Sequence, residues 1–516
     1  MRVHPVLRSA AIAVLVASLT PVLLVAQETP VNSVPTAEDL ARPGDLWIET
    51  RSVAAQDGTE VTADFGRLVV PENRARTDSN PIQIAFVRLR GSAQTGRAPV
   101  VYLAGGPGDA STWQASDAGA LQRWVPMLAD GDVVLLDQRG AGESSPRLRW
   151  RVPGMPAFDA FADAGVMRDL AIEMATSARQ ALVDAGHDLD GYTTVENARD
   201  IDDLRQVLGY ERVSLLGFSY GTHLAIAYAR EFGDRLEAMA LNGVEGPDQT
   251  LKLPIHMDTQ FRKISLLVAS DPEIGPVIPD LVALLQRVQQ RLEDEPMVVQ
   301  LENPESGQRF DVAVGRHFLD FIIRRDIGDA RDIPVFPRLL YSIDQGDPSV
   351  LRWFVQRRAG IVVAINGLTV MDVASGATPA RLAMIAEQSD RSLFRGAANF
   401  PMPVWNEAWQ APDLGDSFRS PLVSDARTLL LSGTLDWNTP PFQAEQLRWG
   451  LTDATHIIVD NAGHEQVLPH PDVWAAVAAF FRGDDVSDVR ASLPPLTWVP
   501  LEGYDPERWH PSVPRE

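Results

Sequence analysis

The chain has 516 residues, 45% hydrophobic and 22% charged, the balance of a globular protein long enough to bury a large core. Its formal charge of -23 argues against nucleic acid or an anionic membrane surface as a partner. It contains no cysteine, which removes disulfides, thiol nucleophiles, thiolate metal sites and lipid attachment through an N-terminal cysteine.

Residues 1–26 read as a signal peptide. Arg2 and Arg8 make a positive start, Ala10 to Ala26 is almost wholly apolar, and Leu24-Val25-Ala26 before Gln27 is a passable cleavage site. This predicts an exported protein, periplasmic or extracellular. Leu24 is a less usual residue three places before a cut, which leaves a retained anchor as the alternative. No other stretch reaches the roughly 18–20 apolar residues of a membrane span, so no stable membrane association is expected after cleavage.

Residues 27–246 read as the first part of an alternating α/β core. Gly66 to Val70 and Ile82 to Leu89 are predicted strands joined by a polar turn. Val100 to Leu103 runs into Ala104-Gly105-Gly106-Pro107-Gly108, and Val133 to Leu136 runs into Asp137-Gln138-Arg139-Gly140-Ala141-Gly142. Short apolar runs that end in Gly-rich loops are the signature of buried parallel strands. A helix is predicted over Thr193 to Leu208, with Thr193 and Glu196 spaced for a capping box. Val213 to Leu216 follows as a strand, then a helix over Thr222 to Arg230, then a strand at Ala238 to Leu241.

Over residues 247–425 the pattern turns mainly helical, with Leu281 to Leu292 and Arg381 to Gln388 as the clearest helices. The α/β pattern resumes in residues 426–482, with strands at Thr428 to Gly433 and His456 to Val459. Residues 483–516 form a Pro-rich tail containing Trp498 and Trp509. The whole reads as a mostly parallel, doubly wound α/β sheet with a large, mainly helical cap inserted before the last strands. Ligands bind beyond the carboxyl ends of such strands, where the Gly-rich loops lie.

At one of those ends stands Gly217-Phe218-Ser219-Tyr220-Gly221, between a predicted strand and a predicted helix. By composition alone, G-x-S-x-G arises by chance in roughly one chain in five of this length. Its setting makes it a nucleophile elbow: the turn is so tight that only glycine fits two places before and after the serine. A serine hydroxyl needs a base. His464, in Asn461-Ala462-Gly463-His464, is the histidine in a loop directly after a predicted C-terminal strand, on the same sheet edge. Asp436, in Gly433-Thr434-Leu435-Asp436, follows the preceding strand and is the candidate to orient that imidazole. Asp460 is the second candidate but lies too close to His464 in sequence. The order Ser219, Asp436, His464 is the α/β-hydrolase order. Charge building on a substrate carbonyl oxygen needs an oxyanion hole. Its expected donors are the backbone N–H of Tyr220 and of Gly106, with Gly105 as the alternative. Asp137 to Ser144 lacks the full dinucleotide fingerprint and reads instead as a buried charged loop supporting the site. No cofactor or metal is called for.

Gly-Gly-Pro-Gly at 105–108, Asp-Gln-Arg-Gly-x-Gly-x-Ser at 137–144 and Gly-Phe-Ser-Tyr-Gly-Thr at 217–222 resemble the prolyl aminopeptidase and tripeptidyl aminopeptidase family of serine peptidases. Thr428 to Gln466 is similar to that family's C-terminal α/β-hydrolase segment, and Ser219, Asp436 and His464 match its triad positions. The resemblance implies an α/β-hydrolase fold and release of residues or short peptides from free N-termini, with the cap blocking internal cleavage. Ala104 stands where prolyl aminopeptidases usually carry histidine, which weakens a strict proline-specific assignment, and the long cap and predicted export fit the tripeptidyl branch better. Recognition of a free amine would need carboxylates at the inner edge of the cap. Glu245 is placed for this, and Asp248 is a second candidate. A carboxylesterase acting on small esters is the alternative, and an inert binding protein on the same scaffold is the third reading. Aspartate-nucleophile relatives are excluded, because the elbow holds Ser219.

Overall fold

A computed structural model describes residues 40–510, apart from 93–94, 152–154, 305, 363 and 367–369. The predicted signal peptide lies outside the described residues. Among them, no helix is long and apolar enough to cross a membrane.

The central sheet is built from β1 (Leu46–Ala54), β2 (Glu60–Pro71), β3 (Pro81–Leu89), β4 (Val100–Leu103), β5 (Val133–Leu136), β6 (Val213–Phe218), β7 (Leu236–Asn242), β8 (Arg427–Gly433), β9 (Ala454–Asp460) and β10 (Ala491–Ser492). Their order across the sheet is β1-β2-β3-β5-β4-β6-β7-β8-β9-β10. The pairings β1/β2, β2/β3 and β3/β5 are antiparallel, and all the others are parallel. Val133, Val134, Leu135 and Leu136 of β5 are all buried, as expected of a strand covered on both faces. β1, half-buried or exposed along its length, carries no comparable apolar run, so sequence patterning passes over it.

The helices that matter for the site are α1 (Ala118–Trp124), α2 (Ala164–Asp184), α3 (Thr194–Val207), α4 (Tyr220–Phe232) and α7 (Pro471–Arg482), with α5 (Arg316–Asp326) and α6 (Met402–Trp409) in the segment inserted between β7 and β8. The Thr193 side chain caps α3 by accepting from the Glu196 N–H at 3.2 Å. The Glu196 carboxylate goes elsewhere, to Arg74 and Arg199, because these cations outbid a neutral backbone N–H.

The inserted segment between β7 and β8 is helix-rich but not wholly helical. Met297–Glu302 and Arg309–Val314 form an antiparallel pair, with Val299, Leu301, Val312, Ala313 and Val314 buried. Earlier chain also packs with this segment. Arg149–Arg151 pairs with Ala364–Asn366, and the long α2 lies against α6, burying Met167, Ala171, Met174 and Ala178. These residues of the first core part thus share an apolar cluster with the insertion, a tertiary partnership that local periodicity cannot report. The tail crosses to the insertion as well, with the Val499 N–H donating to the Pro334 carbonyl.

Candidate active site

The elbow is set by backbone geometry. Ser219 has φ 53° and ψ -123°, a left-handed conformation that a side chain adopts only under constraint. The constraint is local: the Ser219 N–H donates to the Asn242 carbonyl of β7 at 2.9 Å, and the Ser219 carbonyl accepts from Thr222 N–H at 2.8 Å. Both flanking glycines are sterically required. A Cβ at Gly221 would stand 2.0 Å from the Leu103 carbonyl oxygen, and one at Gly217 would stand 2.6 Å from the Gly221 carbonyl oxygen. Ser219 therefore sits at the end of β6, at the N-terminus of α4.

Asp436, after β8, and His464, after β9, meet in space although 28 residues apart. Asp436 Oδ2 lies 2.7 Å from His464 Nδ1. The Thr439 hydroxyl donates to Asp436 Oδ2 at 2.6 Å and stands 3.1 Å from His464 Nδ1, while the Thr439 N–H donates to Asp436 Oδ1 at 3.0 Å. With a carboxylate at Nδ1, the tautomer that carries its proton there is favoured, and Nε2 is left as the acceptor. Burial by itself would raise the Asp436 pKa. The His464 charge, its hydrogen bond and the two Thr439 bonds outweigh burial and hold the carboxyl below the usual range. Burial would likewise lower His464, but the Asp436 carboxylate overrides it and the imidazole pKa is raised. Gly243, at φ 67°, lets the chain pass close to the imidazole, since a Cβ there would stand 2.9 Å from His464 Cε1.

Ser219 and His464 line one cavity of about 480 Å³. Gly106, at φ 110°, lines it too, in the loop after β4. Gly105 packs against Ser219, where a Cβ would stand 3.2 Å from Ser219 Cβ. The Tyr220 N–H opens α4, where first-turn donors have no helical acceptor. The loop after β5 braces this arrangement. Asp137 accepts from Ser111 N–H at 2.6 Å, from Thr112 N–H at 3.0 Å and from Glu143 N–H at 2.8 Å. Gln138 donates to the Ala104 carbonyl at 2.9 Å, next to the Gly-rich turn. Arg139, fully buried, holds Asp200 through two bonds of 2.7 Å and donates to the Glu72 carbonyl at 2.6 Å.

The two carboxylates singled out from the sequence go different ways. Glu245 is buried in the wall of the Ser219 cavity. One of its oxygens is paired with the buried Lys252 Nζ, and the other, Oε1, has no hydrogen-bond partner. Asp248 is spent on structure: the Thr378 N–H and hydroxyl donate to it at 2.8 and 2.7 Å, at the start of the helix Pro379–Ser389. Asp372 was not foreseen. It comes from the inserted segment, is 7% exposed, lines the same cavity and leaves Oδ1 without a partner. Burial, then the neighbouring Glu245 charge, push its pKa well above the carboxylate range. No local signal marks Asp372, because only the folding of the insertion over the sheet brings it to Glu245. Thr439, three residues after Asp436, is likewise unremarkable until the histidine loop closes on it.

The chain matches the family model for the α/β hydrolase fold over residues 98–275 and the model for TAP-like proteins over residues 394–488. It is similar to the tripeptidyl aminopeptidase of Streptomyces lividans, 28% identical over 219 residues, which is 40% of each chain. It is also similar to the serine protease Hip1 of Mycobacterium tuberculosis, 29% identical over 212 residues, or 39% of this chain and 40% of that one. The matches thus span about two fifths of the length of these relatives. Among solved structures, a thermophilic esterase from Thermogutta terrifontis aligns with 81% of this chain and 98% of its own at 16% identity and a TM-score of 0.34. The fold is that of the α/β hydrolases, and the segment 394–488 is similar to the TAP-like proteins.

Proposed function

We propose that this chain is an exported serine aminopeptidase that releases residues or short peptides from free N-termini through an acyl-enzyme. The observation that carries the reading is the pair Glu245 and Asp372. Two buried carboxylates, each with an oxygen lacking a partner, face the cavity that holds Ser219 and His464. Buried unpaired carboxylate oxygens are costly unless a ligand satisfies them. A substrate ammonium group would do so, joining Lys252, which already pairs with Glu245, and Arg324, whose charge also acts on Asp372. Export rests on the residues 1–26 reading alone.

In this mechanism His464 Nε2 takes the Ser219 proton as the hydroxyl attacks the scissile carbonyl. Asp436 stabilises the imidazolium that forms, and the developing oxyanion is held by the N–H groups of Tyr220 and Gly106, with Gly105 shaping the turn just before Gly106. The imidazolium then gives its proton to the departing amine. Water, activated by the same histidine, releases the acyl fragment and regenerates Ser219.

The test is digestion of a peptide library beside N-acetylated copies of the same peptides. Cleavage confined to free-amine peptides, a fixed short distance from the N-terminus, is the expected result. Equal cleavage of acetylated copies would overturn the aminopeptidase reading. Hydrolysis of short acyl esters with no peptide cleaved would make the chain a carboxylesterase instead.

A further inference from the structure

A second cavity, of about 430 Å³, opens beside the first. Phe218, Asp109 and Glu465 line both, so the two adjoin at the residues next to the nucleophile and next to the base. The second cavity does not include Ser219, and its wall on the near side is Gly105. Its volume falls within the roughly 300–1,000 Å³ of pockets that enclose small ligands.

Five rings, those of Tyr102, Trp113, Trp124, Phe218 and Trp474, line it beside the charged Asp109, Arg123 and Glu465. The Trp124 ring packs edge-on against Tyr102 at 5.2 Å and against Trp474 at 5.0 Å. Each indole N–H is already satisfied inside the protein: Trp113 donates to the Ala110 carbonyl at 3.0 Å, Trp124 to the Gln114 side chain at 3.1 Å, and Trp474 to the Arg123 carbonyl at 2.6 Å. With these donors used, the indoles offer the cavity only ring surface. Trp113, 53% exposed, stands at the rim. A site of this kind favours an aromatic or large apolar side chain, through buried area and ring-on-ring contacts.

Strand order gives its side of the scissile bond. β4, whose loop carries Gly105 and Asp109, neighbours the nucleophile strand β6 on one side, and β7, whose loop carries Glu245, neighbours it on the other. If the substrate amine lies at Glu245, the acyl fragment occupies the β7 side and the leaving fragment lies toward β4. We propose that the second cavity is the subsite for the first residue of the leaving fragment, and that it selects an aromatic or large apolar side chain there. This inference rests on the aminopeptidase reading for its direction along the peptide.

The experiment compares peptides identical except at the first leaving residue, Phe or Trp against Ala, in the full chain and in Trp113→Ala and Leu468→Trp. The first substitution removes the rim and the second fills the cavity, which Leu468 lines. The wild-type chain is expected to favour the aromatic peptide about tenfold or more in kcat/KM, and both substitutions to bring that ratio close to one. No aromatic preference in the wild-type chain, or a preference that survives Trp113→Ala, overturns the proposal. Leu468→Trp counts only if its thermal unfolding stays cooperative. Trp113, at the surface, supplies the independent arm. If no peptide is cleaved, the aminopeptidase reading fails separately, and the same contrast is read on esters with benzyl and methyl leaving alcohols. A benzyl preference lost in Trp113→Ala sustains the subsite, and equal rates or inertness toward both sink it.

Discussion

Asp436 Oδ2 and His464 Nδ1 lie 2.7 Å apart, and the Thr439 hydroxyl touches both. The carboxylate is thereby held by three donors and the imidazole by one orientation. In Asp436→Asn the amide can present a donor to Nδ1 and stabilise the wrong tautomer. A fall in kcat of about 10⁴ is expected, the size seen when this member of a serine triad is neutralised. Ser219→Ala should abolish turnover and labelling by a fluorophosphonate probe while leaving the circular dichroism spectrum unchanged. Retained turnover in Ser219→Ala would remove it as nucleophile.

The pH profile follows from the raised pKa of His464. A base works in its neutral form, and a raised pKa delays deprotonation to higher pH. The acid limb of kcat/KM should therefore fall above the ordinary histidine value of about 6.5. The residual activity of Asp436→Asn should show that limb displaced to lower pH, because burial then acts on the imidazole without its counter-charge. A limb at the same pH in both proteins would dissociate His464 from the profile.

Glu245 and Asp372 predict a pH effect of their own. Asp372, raised well above the carboxylate range by burial and by Glu245, holds its proton to a higher pH than a solvated carboxylate. An ammonium ion binds best once that proton leaves, so KM for free-amine peptides should fall as pH rises through the Asp372 pKa. Asp372→Asn should abolish this dependence and lower kcat/KM by at least about tenfold, 1.4 kcal/mol of lost interaction. Steady-state kinetics on free-amine peptides checks both, and an unchanged KM profile in the variant would refute the role.

Gly221→Ala is expected to destabilise the fold as well as the site. The added Cβ meets the Leu103 carbonyl oxygen at 2.0 Å, backbone against backbone, with no flexible side chain to give way. Overpacking of this kind costs about 1–3 kcal/mol, read as a shift in the denaturation midpoint. Full stability would mean that β4 and α4 can separate without penalty.

Arg139→Met probes the loop after β5. It leaves Asp200 buried with Arg74 as its remaining cation. Breaking a buried pair in this way costs about 3–5 kcal/mol. Chemical denaturation should show the loss, and a loss below about 1 kcal/mol would mean that Arg74 alone compensates.

The parts of this protein legible in its sequence are those with local causes. The apolar runs Val100–Leu103 and Val133–Leu136 are strands because a run of buried apolar side chains, interrupted in the first by the half-buried Tyr102, and a Gly-rich exit leave few other conformations. Gly217, Ser219 and Gly221 mark the elbow because the turn's steric limits are written within five residues. Asp436 and His464 are found from their place after strands of one sheet edge. What tertiary structure alone decided depends on chain segments meeting. Asp248, attractive by position, is consumed by Thr378 from more than a hundred residues away, while Asp372 arrives from the insertion to stand beside Glu245. Helix α2 joins the apolar cluster of the insertion because its buried stripe needs a partner that periodicity cannot name. The elbow is thus a property of five neighbouring residues. The chamber around it is a property of the fold, because its walls are charges and rings drawn from distant segments, whose cost of burial is met only when they face one another.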